Sequence, residues 1–214
     1  MLGLLETKKA SLAKSDVVQL WANDAVSWEF VGAEEASGGL LLMWDEMVFK
    51  MDNCYKGDRC LCVKDVLVKN NLCCAFCLVY GAHAREEKLL VWEELSFLSR
   101  LCQAPLCYLG DFNEVTQVED RKGATALLLY ATEFKSWIQD IELVNLALTD
   151  HKFTWFRGQL CSHIDQVLVS LEWLEEFPKT ILKGGPRGLS DHYPLIIDVT
   201  RVRRGPRPFR SLNS

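Results

Sequence analysis

Three short stretches carry side chains that could do chemistry together. Gly110-Asp111-Phe112-Asn113 follows the apolar run Leu106-Cys107-Tyr108-Leu109 and sets an aspartate two residues from an asparagine. Turn chemistry alone accepts these residues, because Gly, Asp and Asn all tolerate tight backbone conformations. Asp165 stands within Ser162-His163-Ile164-Asp165-Gln166-Val167-Leu168-Val169, a carboxylate inside an otherwise apolar strand pattern. Burying a carboxylate is costly unless it is paired, so Asp165 requires a partner. Ser190-Asp191-His192, just before the last apolar run, offers one. An Asp–His pair fixes the imidazole tautomer and raises its pKa, keeping the ring able to donate to a phosphate oxygen. Each group also has a plain structural explanation: a polar turn, an ion pair, a hydrogen-bonded core histidine. Their joint occurrence favours a phosphate-cleaving site over those explanations.

Such groups must be positioned by regular elements, and the chain alternates between strand-like and helix-like segments. Leu40-Leu41-Leu42-Met43-Trp44 follows Gly38-Gly39 and reads as a buried strand. Cys60 to Val68 and Leu72 to Tyr80 form a hairpin about Lys69-Asn70-Asn71. From Glu86 to Cys102 apolar residues recur at Leu90, Val91, Leu95, Leu98 and Leu101, a helical period with Glu and Lys opposite. A second helix is expected over Ala126 to Ile141, with Leu127, Tyr130, Phe134, Trp137 and Ile141 on one stripe. Phe153 to Phe156, Ile164 to Val169 and Pro194 to Val199 read as strands, and Glu172 to Phe177 as a short helix stopped by Pro178. Strands mixed with helices on one core predict a layered α/β domain over residues 1–200, with the polar clusters at strand ends. Residues 201–214, rich in Arg and Pro, read as a linker or tail.

Composition narrows the functional classes. A net charge of −5 among 214 residues argues against holding nucleic acid by general charge attraction. It leaves a nuclease open, because a bound metal ion supplies local positive charge at the scissile phosphate. No apolar run reaches the roughly 18 residues that suggest a membrane span. Charge follows the apolar residues in Met1 to Lys9, the wrong order for a signal peptide, so an intracellular protein is expected. The nine cysteines, an odd number, read as free thiols with no disulfide-linked partner. Cys60-x-Cys62 and Cys73-Cys74-x-x-Cys77 suggest zinc only superficially: the second lies in a strand pattern, where cysteine acts as a small hydrophobe.

Gly110 to Asn113, His163-Ile164-Asp165 and Ser190-Asp191-His192-Tyr193-Pro194 together resemble the endonuclease/exonuclease/phosphatase superfamily. They are most similar to the endonuclease domain of plant LINE-type non-LTR retrotransposons. Further blocks follow in that family's order. They are Leu4-Leu5-Glu6-Thr7-Lys8, Ser37 to Trp44, Val79-Tyr80-Gly81-Ala82-His83, Leu148-Thr149-Asp150 with Phe153-Thr154-Trp155, and Gly205 to Arg210, a junction toward a reverse transcriptase. The resemblance implies a two-sheet, four-layer α/β sandwich and hydrolysis of DNA phosphodiesters with Mg²⁺ or Mn²⁺, in the nucleus. It implies Glu6 and Asp191 as metal residues, and Asp111, Asn113, Asp165, His192 and Tyr80 as catalytic. Thr154, Ser190 and His163 would face the phosphate, His163 replacing the usual arginine or lysine. No oligomer is predicted.

The family's domain opens with a strand bearing an asparagine, then a helix, ahead of the metal-binding glutamate. Here Glu6 stands almost at the start, so the resemblance implies a domain lacking that first strand and helix. Two functions follow: a metal-dependent DNA endonuclease, or a truncated, catalytically inactive remnant. A third places the chain elsewhere in the superfamily, as an abasic-site endonuclease or a phosphoesterase.

Overall fold

Alternation along strands decides how this chain stacks its layers. The computed structural model describes residues 1–21, 25–33, 38–69 and 71–199. In chain order the first half comprises β1 (Leu2–Leu5), α1 (Lys14–Trp21), β2 (Val26–Val31), β3 (Leu40–Asp45), β4 (Phe49–Lys56), β5 (Cys60–Leu67) and β6 (Leu72–Tyr80). Next come α2 (Arg85–Leu101), β7 (Leu106–Asp111), α3 (Leu129–Asp140), β8 (Val144–Asn145), β9 (Trp155–Arg157) and β10 (Leu160–Ser162). β11 (Asp165–Val169), α4 (Leu171–Glu176), β12 (Ile181–Gly184) and β13 (Leu195–Asp198) complete it.

The central sheet has the order β4-β5-β6-β7-β11-β8. Its one parallel pair, β6 with β7, needs a crossover, and α2 supplies it. Successive side chains leave a strand on opposite faces. Cys60 and Cys62 of β5 therefore face α2 and α3, where they join Trp92, Leu95, Phe134 and Trp137 in one core cluster. Leu61 and Val63 face the other way and meet Leu40, Leu42 and Trp44 of β3. Leu41 and Met43 point away again and cover Val17 of α1. The layers thus run helix, sheet, sheet, helix, the sandwich that the motifs imply. The second sheet layer is built from two small sheets, β1-β3-β2 and β12-β13. Stacked rings of Trp92, Phe134 and Trp137 anchor α2 to α3; burying each such ring contributes about 1.5–3 kcal/mol.

The long periodic segments fold as the sequence predicts. β5 and β6 form the expected hairpin, closing at Leu67 opposite Leu72, and all nine cysteines are free thiols, most of them buried. Differences fall at boundaries and in short pieces. α3 begins at Leu129, because Leu128 is still extended at ψ 160. Phe153 and Thr154 stay outside β9, and His163 and Ile164 precede β11. α1, β2, β4, β8, β10 and β12 were not predicted; most are too short or too polar to show a clean period. Ser37, Asn70 and the segment 201–214, with its Gly205 to Arg210 block, lie outside the described residues. Among the described residues no helix is long and apolar enough to cross a membrane.

Candidate active site

Strand register brings the first three side chains together. Tyr80 at the end of β6 is paired with Asp111 at the end of β7, and Asp111 is paired with Asp165 at the start of β11. Residues in register on neighbouring strands project from the same face. Beyond the row the chain turns sharply. The Gly81 N–H donates to the Asp111 carbonyl at 2.6 Å, and a Cβ on Gly81 would run into the Phe112 carbonyl. Asn113 takes the left-handed conformation at φ 51, which asparagine tolerates better than most residues. Its N–H donates to Asp111 Oδ1 at 2.8 Å, and its side-chain amide donates to the Gly81 carbonyl at 2.8 Å. The Asp-x-Asn stretch is both a turn and the support of a buried carboxylate.

The second wall comes from the segment around β9 and the approach to β13. Thr154 is fully buried, and its hydroxyl accepts the N–H groups of Ile164 and Asp165 at 3.2 and 3.1 Å. Its backbone carbonyl accepts from Tyr193, and Trp155 bridges to His192. These contacts deliver His192 to Asp165: its Nδ1 lies 3.0 and 2.9 Å from the two carboxylate oxygens. Ser190 accepts the His192 N–H at 3.0 Å. The Trp155 indole donates to Asp191 Oδ2 at 3.0 Å. At the end of β1, Glu6 adopts φ 51 and accepts the Tyr80 hydroxyl at 2.6 Å.

Crowded carboxylates shape the electrostatics. Burial, reinforced by Asp165 and only partly opposed by the Asn113 N–H, pushes the Asp111 carboxyl up to about 7. Burial alone would lower the His192 pKa, but the Asp165 carboxylate, helped by Asp111 and Asp191, carries it up to about 9. The Tyr80 phenol is held well above its usual range by burial and by Glu6. Ligand atoms of Asp111, Asp165 and His192 lie within 4.8 Å of one another.

Glu6, Tyr80, Asp111, Asn113, Asp165, Ser190, Asp191 and His192 all border one cleft of about 1730 Å³. Two expected members do not. Thr154 is buried beneath the site, with its hydroxyl on the Ile164 and Asp165 N–H groups. His163 was expected to share a strand face with Asp165, but it precedes the strand. Its ring lines a separate pocket of about 410 Å³, with Nδ1 3.9 Å from Asp120, and burial lowers its pKa despite Asp120 and Asp165. Several cleft residues escaped sequence reading. Arg121, Lys122 and Arg157 line it. Trp155 was read as part of a strand and of a family block but given no role, although an indole always carries one donor that needs an acceptor.

No family model matches the sequence, and no curated protein sequence matches it. Solved structures do match. The 3′ phosphatase NExo from Neisseria, bound to a product DNA hairpin, aligns with a TM-score of 0.70 at 16% identity, over 93% of this chain and 88% of that one. The catalytic domain of Xenopus laevis APE2 gives 0.68 at 14%, over 94% and 85%. The endonuclease domain of TRAS1, a telomere-specific non-LTR retrotransposon, gives 0.64 at 13%, over 95% and 100%. At such identities the likeness establishes architecture alone: the chain has the α/β sandwich fold of the endonuclease/exonuclease/phosphatase type.

Proposed function

We propose that this protein hydrolyses phosphodiesters with a divalent metal ion, acting on DNA as an endonuclease of retrotransposon origin. The observation that carries this reading is the convergence of Asp111 with the Asp165–His192 pair, at one end of a cleft that also holds Glu6 and Asp191. His192, kept protonated by Asp165, donates to the phosphate and stabilises the charge that builds in the transition state. Asp111, once ionised, takes the proton of an attacking water. Asn113 spends one amide N–H on Gly81 and offers the other to a phosphate oxygen. Asp165 and Thr154 orient and do not react. The donor set suits a hard cation such as Mg²⁺ or Mn²⁺: Glu6 and Asp191 would supply carboxylate oxygens. The raised Asp111 pKa reflects a crowding that such an ion relieves. When bound, the ion polarises the phosphate and neutralises charge on the leaving oxygen.

DNA as substrate is supported by Arg121, Lys122 and Arg157 on the cleft walls, which supply local positive charge on an acidic protein. Retrotransposon origin is supported by the ordered sequence blocks and by the likeness to the whole TRAS1 domain. In that reading the protein works in the nucleus. One observation favours the remnant reading. Among the described residues β1 pairs only with β3 and β13 only with β12, so the two small sheets stay separate across the cleft. A site walled this loosely would hold its groups less tightly than catalysis requires.

Nicking of supercoiled plasmid decides between them, with and without Mg²⁺, alongside an abasic-site duplex and a phosphomonoester. Metal-dependent nicking that falls at least roughly 100-fold in Asp111→Asn and His192→Ala supports the endonuclease. Equal nicking by wild type and Asp111→Asn sinks it. Preference for the abasic duplex or the monoester moves the assignment to those substrates, and no turnover on any supports the remnant.

A further inference from the structure

Helix α2 runs behind the Asp111–Asn113 turn, and one of its residues interrupts its buried face. Lys88 shares that face with Val91, Trp92 and Leu95 and is only 4% exposed. Its ammonium donates to the Asn113 backbone carbonyl at 2.8 Å and to Glu114 Oε2 at 2.5 Å. Glu114 is itself 2% exposed, and its other oxygen accepts the Val115 N–H at 3.1 Å. The Tyr130 ring lies 5.9 Å from the ammonium. Neither Lys88 nor Glu114 borders the candidate site cleft.

Stability alone is a poor reason for such a pair. Two charges withdrawn from water lose about as much hydration as their attraction returns, and apolar side chains of similar volume often serve a core as well. An apolar pair could not hold the Asn113 carbonyl. That carbonyl belongs to the left-handed residue whose N–H is held by Asp111 and whose side chain is held by Gly81. Lys88 adds a third hydrogen bond to this residue, whose N–H also holds the Asp111 carboxylate. We propose that Lys88 is a positioning residue for the site: it fixes the Asn113 peptide from behind and touches neither substrate nor metal. Its effect on turnover rests on the phosphodiesterase reading; its effect on the turn does not.

The full chain is compared with Lys88→Met/Glu114→Leu, which removes both charges at once, and with Glu114→Gln, which breaks the charge pair but keeps the Lys88 bond to Asn113. Plasmid nicking and amide hydrogen exchange at Asn113 are measured on each. The double variant, assayed well below its own melting temperature, is expected to lose roughly 10- to 100-fold in kcat with KM within about twofold. Its Asn113 amide should exchange at least about tenfold faster. Glu114→Gln should stay within about threefold of wild type in both. A double variant with wild-type exchange at Asn113 overturns the proposal, as does a Glu114→Gln variant that loses as much as the double. Should the double variant not fold, Lys88→Gln is read by the same exchange measurement. If wild type turns over no phosphodiester, the functional reading falls and exchange at Asn113 alone decides the role of Lys88.

Discussion

His192 owes its charge to Asp165. Without that carboxylate, burial would act on the imidazole with much less opposition, since the next contributions, from Asp111 and Asp191, are smaller. Asp165→Asn is therefore expected to take His192 from about 9 down to or below the ordinary value near 6.5. Titrating the imidazole by NMR without added metal measures this directly, and an unchanged value would contradict the pairing. Hydrolysis should respond in the same sense, its alkaline limb moving to lower pH in the variant. In the proposed reaction the acid limb belongs to Asp111, which must lose its proton to serve as a base. With its carboxyl at about 7 in the metal-free protein, activity should fall as pH drops below neutrality, and added metal should extend it downward.

Elements matter because short strands hold these side chains, and their supports are specific atoms. Thr154 is the clearest: its hydroxyl caps the N–H groups that open β11. Thr154→Val keeps the shape and removes the acceptor, leaving two donors buried without it. Unfolding by urea should show a loss of roughly 1–3 kcal/mol, with His192 shifted toward its ordinary pKa as Asp165 loosens. Gly110 works differently. It sits in β7 at φ 139, and a Cβ there would strike the Val79 carbonyl of β6. Because that obstacle is backbone within a paired strand, Gly110→Ala should cost more than about 1 kcal/mol and displace Asp111 next to it. Wild-type stability in that variant would show that the pairing of β6 with β7 is looser than described.

The whole molecule feels the site through pH. The folded His192 holds its proton up to about 9, against 6.5 in the unfolded chain. Its contribution to stability is fully present below 6.5 and is lost as pH rises through about 9. Asp111 acts in the same direction at lower pH. Its folded carboxyl keeps its proton to about 7, against 3.8 unfolded, so the cost of ionising it in place sets in between those values. Both groups make the folded state bind more protons than the unfolded one, and stability should decline from mildly acidic to alkaline pH. Thermal melts between pH 6 and 9.5 check this, and Asp165→Asn should flatten the slope. A stability that climbs across this range would be incompatible with the arrangement.

What could be read along the chain was whatever repeats locally. The apolar alternation of Leu40 to Trp44, the helical period from Glu86 and the hairpin from Cys60 to Tyr80 each state their own conformation, because side-chain periodicity follows directly from backbone geometry. Residue chemistry also joined Asp111, Asp165 and His192, since a carboxylate in an apolar strand demands a partner; Glu6 was added only by the family resemblance. Only the tertiary structure decided who faces whom. Lys88 is an ordinary polar residue in sequence, and only the fold buries it against the Asn113 carbonyl. His163 carries the right chemistry two positions from Asp165, yet it faces another pocket because the strand starts after it. Spacing tells which residues share an element; the register between elements, set by the competition of whole faces for burial, tells which share a site.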